Sequence, residues 1–330
     1  MRHNAGGGAV GYIHIPVMPA ELVRFIRDSA YRGEGMLVDC TAGEGGHSEL
    51  FLSMFPGMRI TAFDRDGEIL KIAQGRLEQY AGRIDFINDN FSHISERLGS
   101  MKSEIRYFLY DFGISSFHFD ASGRGFSFAR DERLDMRLDG DGEDAGDMVN
   151  TADEKTLADI IFRYGEERWS RRIASAIVRA RSAAPVETTG QLADIVLGAI
   201  PKRFHVKNIH PATRVFQALR IAVNDELSAI ERSIADAYGL LAPGGLIMAI
   251  SFHSLEDRIV KEKFRRLSRG CFCGEESRNC RCTGERAVNI LTKKPLRPEI
   301  DEVEKNSRAR SARLRVCEKL PVPAAAGAAG

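Results

Sequence analysis

Leu37-Val-Asp-Cys-Thr-Ala-Gly-Glu-Gly-Gly-His47 is the stretch whose reading decides the fold. A short apolar run ends in an acid, passes into a glycine-rich turn, and gives way to residues at helical spacing. Strand, tight turn and helix start, in that order, open a βαβ unit. Glycine lets the backbone turn sharply and approach a ligand with no Cβ in the way. The helix start offers N–H groups that have no partner inside the helix. Asp64 closes the next apolar run, 64 − 43 = 21 residues after Gly43. A carboxylate at that point can accept from both hydroxyls of a ribose.

Two cofactor classes use this layout, and the glycine spacing separates them. Nicotinamide enzymes need G-x-G-x-x-G so that the helix start meets a pyrophosphate. Here the run is Gly43-Glu44-Gly45-Gly46-His47. The Glu44 carboxylate would repel a pyrophosphate, whereas a cationic sulfonium tolerates acids. The reading is therefore S-adenosylmethionine, with a nicotinamide dehydrogenase as the disfavoured alternative. Asn88-Asp-Asn-Phe91 ends a third apolar run and offers Phe91 either to an adenine or as a plug for the core. Gly239-Leu-Leu-Ala-Pro-Gly-Gly-Leu246 resembles the turn that many class I methyltransferases place late in the sheet.

Outward from the turn, strand and helix signals alternate. Residues 19–30 read as an amphipathic helix, 36–40 as a strand, 47–55 as a helix, 59–64 as a strand and 66–80 as a helix. Residues 84–88 and 105–110 add strands. Strands separated by helices imply right-handed crossovers and a mostly parallel sheet. Residues 111–149 then read as long loops, 152–200 as helices without a strand, and 214–238 as one long helix. A strand signal returns at 246–251. The expected architecture is α/β with an inserted all-α domain: residues 1–117 and 213–330 form the sheet domain, and 118–212 form a helical substrate-recognition insert.

Asp111-Phe-Gly-Ile-Ser-Ser-Phe-His118 follows the fourth strand, where ligands bind in open sheets of this type. Enzymes that methylate amino groups commonly place an acid or amide here, followed by two prolines; the prolines are missing. An exocyclic amine is a poor nucleophile because its lone pair is delocalised into the ring. Asp111 can hold an N–H, orient the lone pair and help remove the proton, or else contact only the cofactor.

The 330 residues carry a formal net charge of +1, which excludes a polycation. The charge is unevenly spread. Residues 258–319 hold 18 Lys/Arg against 9 Asp/Glu, a local net of 18 − 9 = +9. A basic segment can hold a phosphate backbone. Residues 131–147 hold 8 acids against Arg133 and Arg137, a net of 2 − 8 = −6, as a solvated loop or a Mg²⁺ site. Of six cysteines, Cys271, Cys273, Cys280 and Cys282 form a C-x-C-x6-C-x-C cluster, open between zinc and reduced thiols; no metal is assigned. No apolar run reaches the ~20 residues that span a bilayer. Residues 1–11 are Gly-rich without a signal-peptide core and read as a flexible leader of a cytoplasmic protein, and 321–330 read as a disordered tail.

With these segments in view, the chain resembles the RsmH (MraW) family of bacterial 16S rRNA cytosine-N4-methyltransferases. The likeness is carried by His14-Ile-Pro-Val17, Asp39–His47, Asp111–Ser116, Gly125-Phe-Ser-Phe128, Leu134-Asp-Met-Arg137, Tyr164-Gly-Glu-Glu167, His210–Arg214, Phe216–Asn224 and Ile250–Arg258. It implies a class I methyltransferase fold with a helical insert, S-adenosylmethionine as cofactor, and a decoding-centre cytosine of 16S rRNA in the small subunit as substrate. Carried over by position, the cofactor contacts are Gly45, Gly46, His47, Asp64, Phe91, Asp111 and His118. Position 118 is often Gln in relatives, and Phe112 replaces a usual Leu. The resemblance leaves a homodimer open. His253 is a candidate contact to the target nucleotide, and His14, His210 and Arg214 are candidates for rRNA. A methyltransferase for another nucleic acid and a non-catalytic assembly factor are the competing classes.

Overall fold

A computed structural model describes residues 16–206, 210–269 and 286–321. The leader, His14, the four-cysteine cluster and nearly all of the tail lie outside them.

Alternation comes first from helix α1 (Pro19–Asp28), then β1 (Gly35–Asp39), α2 (Gly46–Met54), β2 (Met58–Asp64), α3 (Gly67–Arg76), β3 (Ile84–Asn88), α4 (Ile94–Leu98) and β4 (Ile105–Asp111). A run of helices follows: α5 (Ser116–Asp120), α6 (Ala145–Thr151), α7 (Glu154–Gly165), α8 (Ser170–Arg181), α9 (Thr189–Ala199), α10 (Thr213–Val223) and α11 (Glu226–Leu240). The sheet resumes with β5 (Leu241–Ser251), and α12 (Ser254–Ser268), β6 (Val288–Ile290), α13 (Ile300–Lys305) and β7 (Arg313–Lys319) complete the order.

The seven strands lie in the order β3-β2-β1-β4-β5-β7-β6. The first five are parallel, while β7 runs antiparallel to both β5 and β6. This is the α/β class I sheet that the sequence predicts. The strand order reverses between β1 and β4, so the ligand crevice belongs outside the carboxyl ends of those two strands.

Side-chain alternation packs both faces. Along β4, Tyr107 and Leu109 join a core with α1 and α2, whereas Phe108 and Tyr110 join a core with α4, α11 and α12. A strand buried on both faces reads as a continuous apolar run, as this one does. The helices from α6 to α10 surround a third core that includes Leu157, Ile161, Ile173, Ile177, Leu192 and Phe216.

The structure departs from the sequence reading at several elements. The loops at 111–149 contain α5 and α6, each opened by a capping box, at Ser115 with His118 and at Asp144 with Asp147. The helix read at 214–238 is two helices, broken where Asp225 adopts φ 45°. There Asn224 accepts from the Leu138 N–H at 3.0 Å and donates to the Met136 carbonyl at 2.8 Å. Helical geometry yields at that point to a side chain that fastens the preceding loop. Finally, β5 begins at Leu241, ahead of the Pro-Gly-Gly turn, because its register shifts around residues 242–245: Ile105 faces Leu241 and Tyr107 faces Leu246.

Candidate active site

The turn after β1 is pinned strand by strand. Cys40 N–H donates to the Leu109 carbonyl on β4, and Ala42 N–H to the Phe63 carbonyl on β2. Asp39 is buried and joins the strand end to the helix start, accepting from Thr41 N–H at 3.2 Å and Ser48 Oγ at 2.8 Å. Burial pushes its carboxyl up to about 6, against the pull of those two donors. Thr41 Oγ1 accepts from the Asp111 N–H at 2.7 Å, which ties the turn to the end of β4.

A cavity of about 360 Å³ opens at this junction, within the range of small-molecule sites. It is lined by Gly46, His47, Asp64, Phe91, Asp111 and His118, six of the seven residues expected to face a cofactor. Gly45 is the exception and does not line it. It sits at φ 82°, and a Cβ there would lie 2.9 Å from Leu77 Cδ1, so its task is to form the turn.

Each lining residue has a defined hold. Asp64 accepts from Gly43 N–H at 2.9 Å and from Asp66 N–H at 3.0 Å, and burial raises its pKa. The Phe91 ring meets Tyr110 edge-on, with centroids 5.9 Å apart. His47 is buried, and its Nε2 donates to the Val17 carbonyl at 2.9 Å. Its Nδ1 lies 3.6 Å from Asp111 Oδ2. His118 lines the cavity with both ring nitrogens engaged, Nδ1 accepting from Ser115 N–H at 3.2 Å and Nε2 donating to Asp66 at 2.9 Å. Burial alone would raise Asp66, but His118 and Arg124 outweigh it and hold the carboxyl down to about 2.

Asp111 differs from all of these. Its Oδ1 is buried with no hydrogen-bond partner among the described residues. Burial first, then the nearby Asp39 and Glu256 carboxylates, lifts its pKa well above the usual range.

On the far wall, sequence reasoning named His253, which lines the cavity as expected, and missed most of its neighbours. The wall comes from Gln217 and Arg220 on α10, from Phe252, His253 and Glu256 at the start of α12, and from Arg308 and Ser311. Arg220 grips Glu226 through two bonds of 2.7 and 2.8 Å. Arg308 pairs with Asp120 at 2.8 Å and with Ser116, so the basic C-terminal segment closes one side. The pattern His253-Ser-Leu-Glu256 was the available signal, since a capping box fixes both residues at one helix end.

Residues 11–320 match the MraW methylase family. The chain belongs to the MraW methylase family. Three curated relatives carry the name Ribosomal RNA small subunit methyltransferase H. The protein from Geobacter sulfurreducens is 48% identical over 313 residues, covering 94% of this chain and 99% of the relative. Those from Geotalea uraniireducens and Pelobacter propionicus are each 46% identical, covering 93% and 94% of this chain and 98% and 99% of theirs.

An MraW methylase draws its methyl group from S-adenosylmethionine, and the residues present fit that group. The cavity combines an aromatic at Phe91, a carboxylate at the tip of β2, and an unpartnered buried acid suited to a cationic ligand.

Other expected contacts lie elsewhere. His210 accepts from Ala212 N–H and packs on Phe128 at 4.7 Å, and Arg214 pairs with Glu167 at 3.4 Å; neither lines the cavity. Acids of the 131–147 loop are engaged by arginines and backbone: Asp139 by Arg65, Asp135 by Arg137, Asp144 by Arg133. Among the described residues, Glu226, His253 and Glu256 bring ligand atoms within 4.8 Å of one another. A metal is disfavoured there. His253 Nδ1 accepts from Glu256 N–H, which leaves the proton on Nε2, and Arg220 already neutralises Glu226.

Proposed function

We propose that the chain methylates the N4 amine of a cytosine in the decoding centre of 16S rRNA, in the bacterial cytoplasm. The observation that carries the reading is the buried, unpartnered Asp111 Oδ1 at the strand-order switch point. The names of the relatives, all small-subunit rRNA methyltransferases, support the substrate class.

S-adenosylmethionine, when bound, supplies an electrophilic methyl group on cationic sulfur. Asp64 is the ribose acceptor and Phe91 the adenine platform in this reading, with Gly46 and His47 at the helix start beside them. Asp111 accepts one N–H of the amine and orients the nitrogen lone pair toward the methyl carbon. As the new N–C bond forms, the nitrogen becomes acidic, and Asp111 takes its surplus proton. An acid whose pKa is already lifted by its surroundings holds that proton well. His47, anchored through Val17, stands beside the carboxylate, its Nδ1 3.6 Å from Oδ2.

The sheet domain, residues 1–117 with 213–330, holds the cofactor, and 118–212 serves as the substrate-recognition insert. The hydrophobic cluster of the helices supports an insert that folds around its own core, although α10 shares that core. No described helix is long and apolar enough to cross a membrane.

The test is direct. Purified chain is incubated with methyl-labelled cofactor and small subunits from cells lacking the gene, and modified nucleosides are mapped by mass spectrometry. N4-methylcytosine at one decoding-centre position is expected. Labelling of another base, or none, overturns the proposal.

A further inference from the structure

Among the described residues, six buried side-chain polar atoms have no hydrogen-bond partner. Three of them, Asp111 Oδ1, His253 Nε2 and Glu256 Oε1, belong to residues that line this one cavity. Unsatisfied buried polar atoms are costly and few in native proteins, so three around one cavity call for a ligand that satisfies them.

The chemistry of the pair on α12 is fixed locally. His253 caps the helix, with Nδ1 accepting from Glu256 N–H at 3.4 Å. A neutral ring therefore carries its proton on Nε2. Glu256 is fully buried, and its Oε2 accepts from Phe252 N–H at 2.7 Å and His253 N–H at 3.2 Å. Burial would raise its pKa, but His253 and Arg220 overcome that and keep the group ionised. His253 Nε2 and Glu256 Oε1 face each other at 3.1 Å, an ion-pair distance, but without the geometry of a hydrogen bond. The cavity wall thus shows one donor and one acceptor side by side.

We propose that His253 and Glu256 read the amidine edge of the target base, with Glu256 Oε1 accepting from the exocyclic amine and His253 Nε2–H donating to the adjacent ring nitrogen. The inference rests on the cytosine substrate proposed above. Cytosine presents donor then acceptor along that edge, in the order this pair complements. Uracil presents acceptor then donor and meets both groups with the wrong sign. The amine has two hydrogens. Glu256 takes the one beside the ring nitrogen, and Asp111 Oδ1 takes the other, the one lost as a proton when the methyl group arrives. Arg220, locked to Glu226, keeps positive charge behind the Glu256 carboxylate. Adenine shares the donor–acceptor order, so this pair rejects uracil, and ring size separates the two amino bases.

Glu256→Gln tests it with little risk to the fold, because glutamine serves in a capping box as glutamate does. Its amide oxygen keeps the two backbone N–H groups, and its amide nitrogen replaces Oε1, turning an acceptor into a donor. Cytidine and uridine monophosphate are titrated by NMR into the protein saturated with S-adenosylhomocysteine. Wild type should prefer cytidine by roughly 5–150-fold, the discrimination of one good bidentate base contact. Glu256→Gln should lose that preference while its affinity for S-adenosylhomocysteine and its unfolding midpoint stay put. His253→Asn keeps a good helix cap and withdraws the ring donor; it should reduce the preference as well. A Glu256→Gln protein that still prefers cytidine overturns this pair as the reader, as does a wild type that binds both nucleotides alike. Failure of the wild type to methylate any cytosine in small subunits overturns the proposed function instead.

Discussion

Asp111 and Asp39 sit on adjacent parallel strands, yet they face different tasks. Asp39 is satisfied by Thr41 and Ser48, whereas Asp111 keeps an oxygen without a partner. Asp111→Ala should cut single-turnover methylation at saturating cofactor by about 100-fold or more, the usual contribution of a positioned base. Cofactor affinity should change far less, because the interaction matters most in the transition state. Asp111→Asn, which keeps the shape and one acceptor, isolates the charge. A wild-type rate in the alanine variant would reduce Asp111 to a cofactor ligand. Asp39 predicts a pH effect on stability. Its pKa is raised in the folded protein to about 6. Between pH of about 4 and 6 the folded state keeps a proton that the unfolded chain releases, so stability falls as pH rises through that window and is level above it. The fall is about 3 kcal/mol, from roughly two pKa units at 1.36 kcal/mol each. Asp39→Asn can donate to Ser48 Oγ and still accept from Thr41, so urea unfolding of the variant should lack that slope. An unchanged slope would assign it to other carboxyls.

At the level of elements, the glycine-rich turn and its flanking strands were legible because each carries a local signal: an apolar run, a terminal acid, then glycine. The break between α10 and α11 was not, because residues 214–238 have unbroken helical periodicity. The cause is tertiary. Asn224 is buried, and its amide holds Met136, Leu138 and Arg220 backbone groups at 2.8–3.0 Å, while Arg65 donates to its carbonyl at 2.8 Å. This one residue fastens the loop that carries Leu138 to the cavity wall. Asn224→Ala should therefore cost about 2–4 kcal/mol in denaturant unfolding, counting about 1 kcal/mol per lost bond plus buried backbone groups left unpaired. Amide exchange at Leu138 should quicken in the same variant. A loss below 1 kcal/mol with unchanged exchange would mean that the loop holds itself. The strands at 288–290 and 313–319 also escaped detection. Arg313-Leu-Arg-Val-Cys-Glu-Lys319 alternates charge with apolar residues, and its antiparallel return beside β5 has no marker in a sequence otherwise built of crossovers.

Over the whole molecule, the cofactor side of the cavity was readable, while on the opposite side only His253 was named in advance, for one reason: sequence distance. The cofactor side lies within residues 43–118, where order along the chain tracks order in space. The opposite side is assembled from α10, α12 and the segment at 308–311, and only the closed sheet brings these together. The same closure commits part of the basic C-terminal segment to the cavity rim. Arg308 is spent on Asp120 and Ser116 in the cavity rim, and Arg313 leans on Asp257 at 3.4 Å, so reversing those charges would damage the site itself. A second groove lies further along α12, lined by Lys261, Arg265, Arg286 and Lys293, all exposed. Lys261 follows His253 by eight residues on the same helix, about 12 Å at 1.5 Å per residue. An RNA that continued along α12 from the cavity would meet this groove. Replacing Lys261, Arg265 and Lys293 by glutamine should weaken RNA binding alike for every sequence. The slope of log affinity against log salt should flatten by about 0.7 per lost phosphate contact on a single strand. The methylation rate at saturating RNA should hold, because none of the three reaches the cavity. Titrations between 50 and 200 mM salt, of roughly the span over which such slopes are read, decide the point. A triple variant with the wild-type slope would remove this groove from the path of the RNA and leave phosphate binding to the cavity rim.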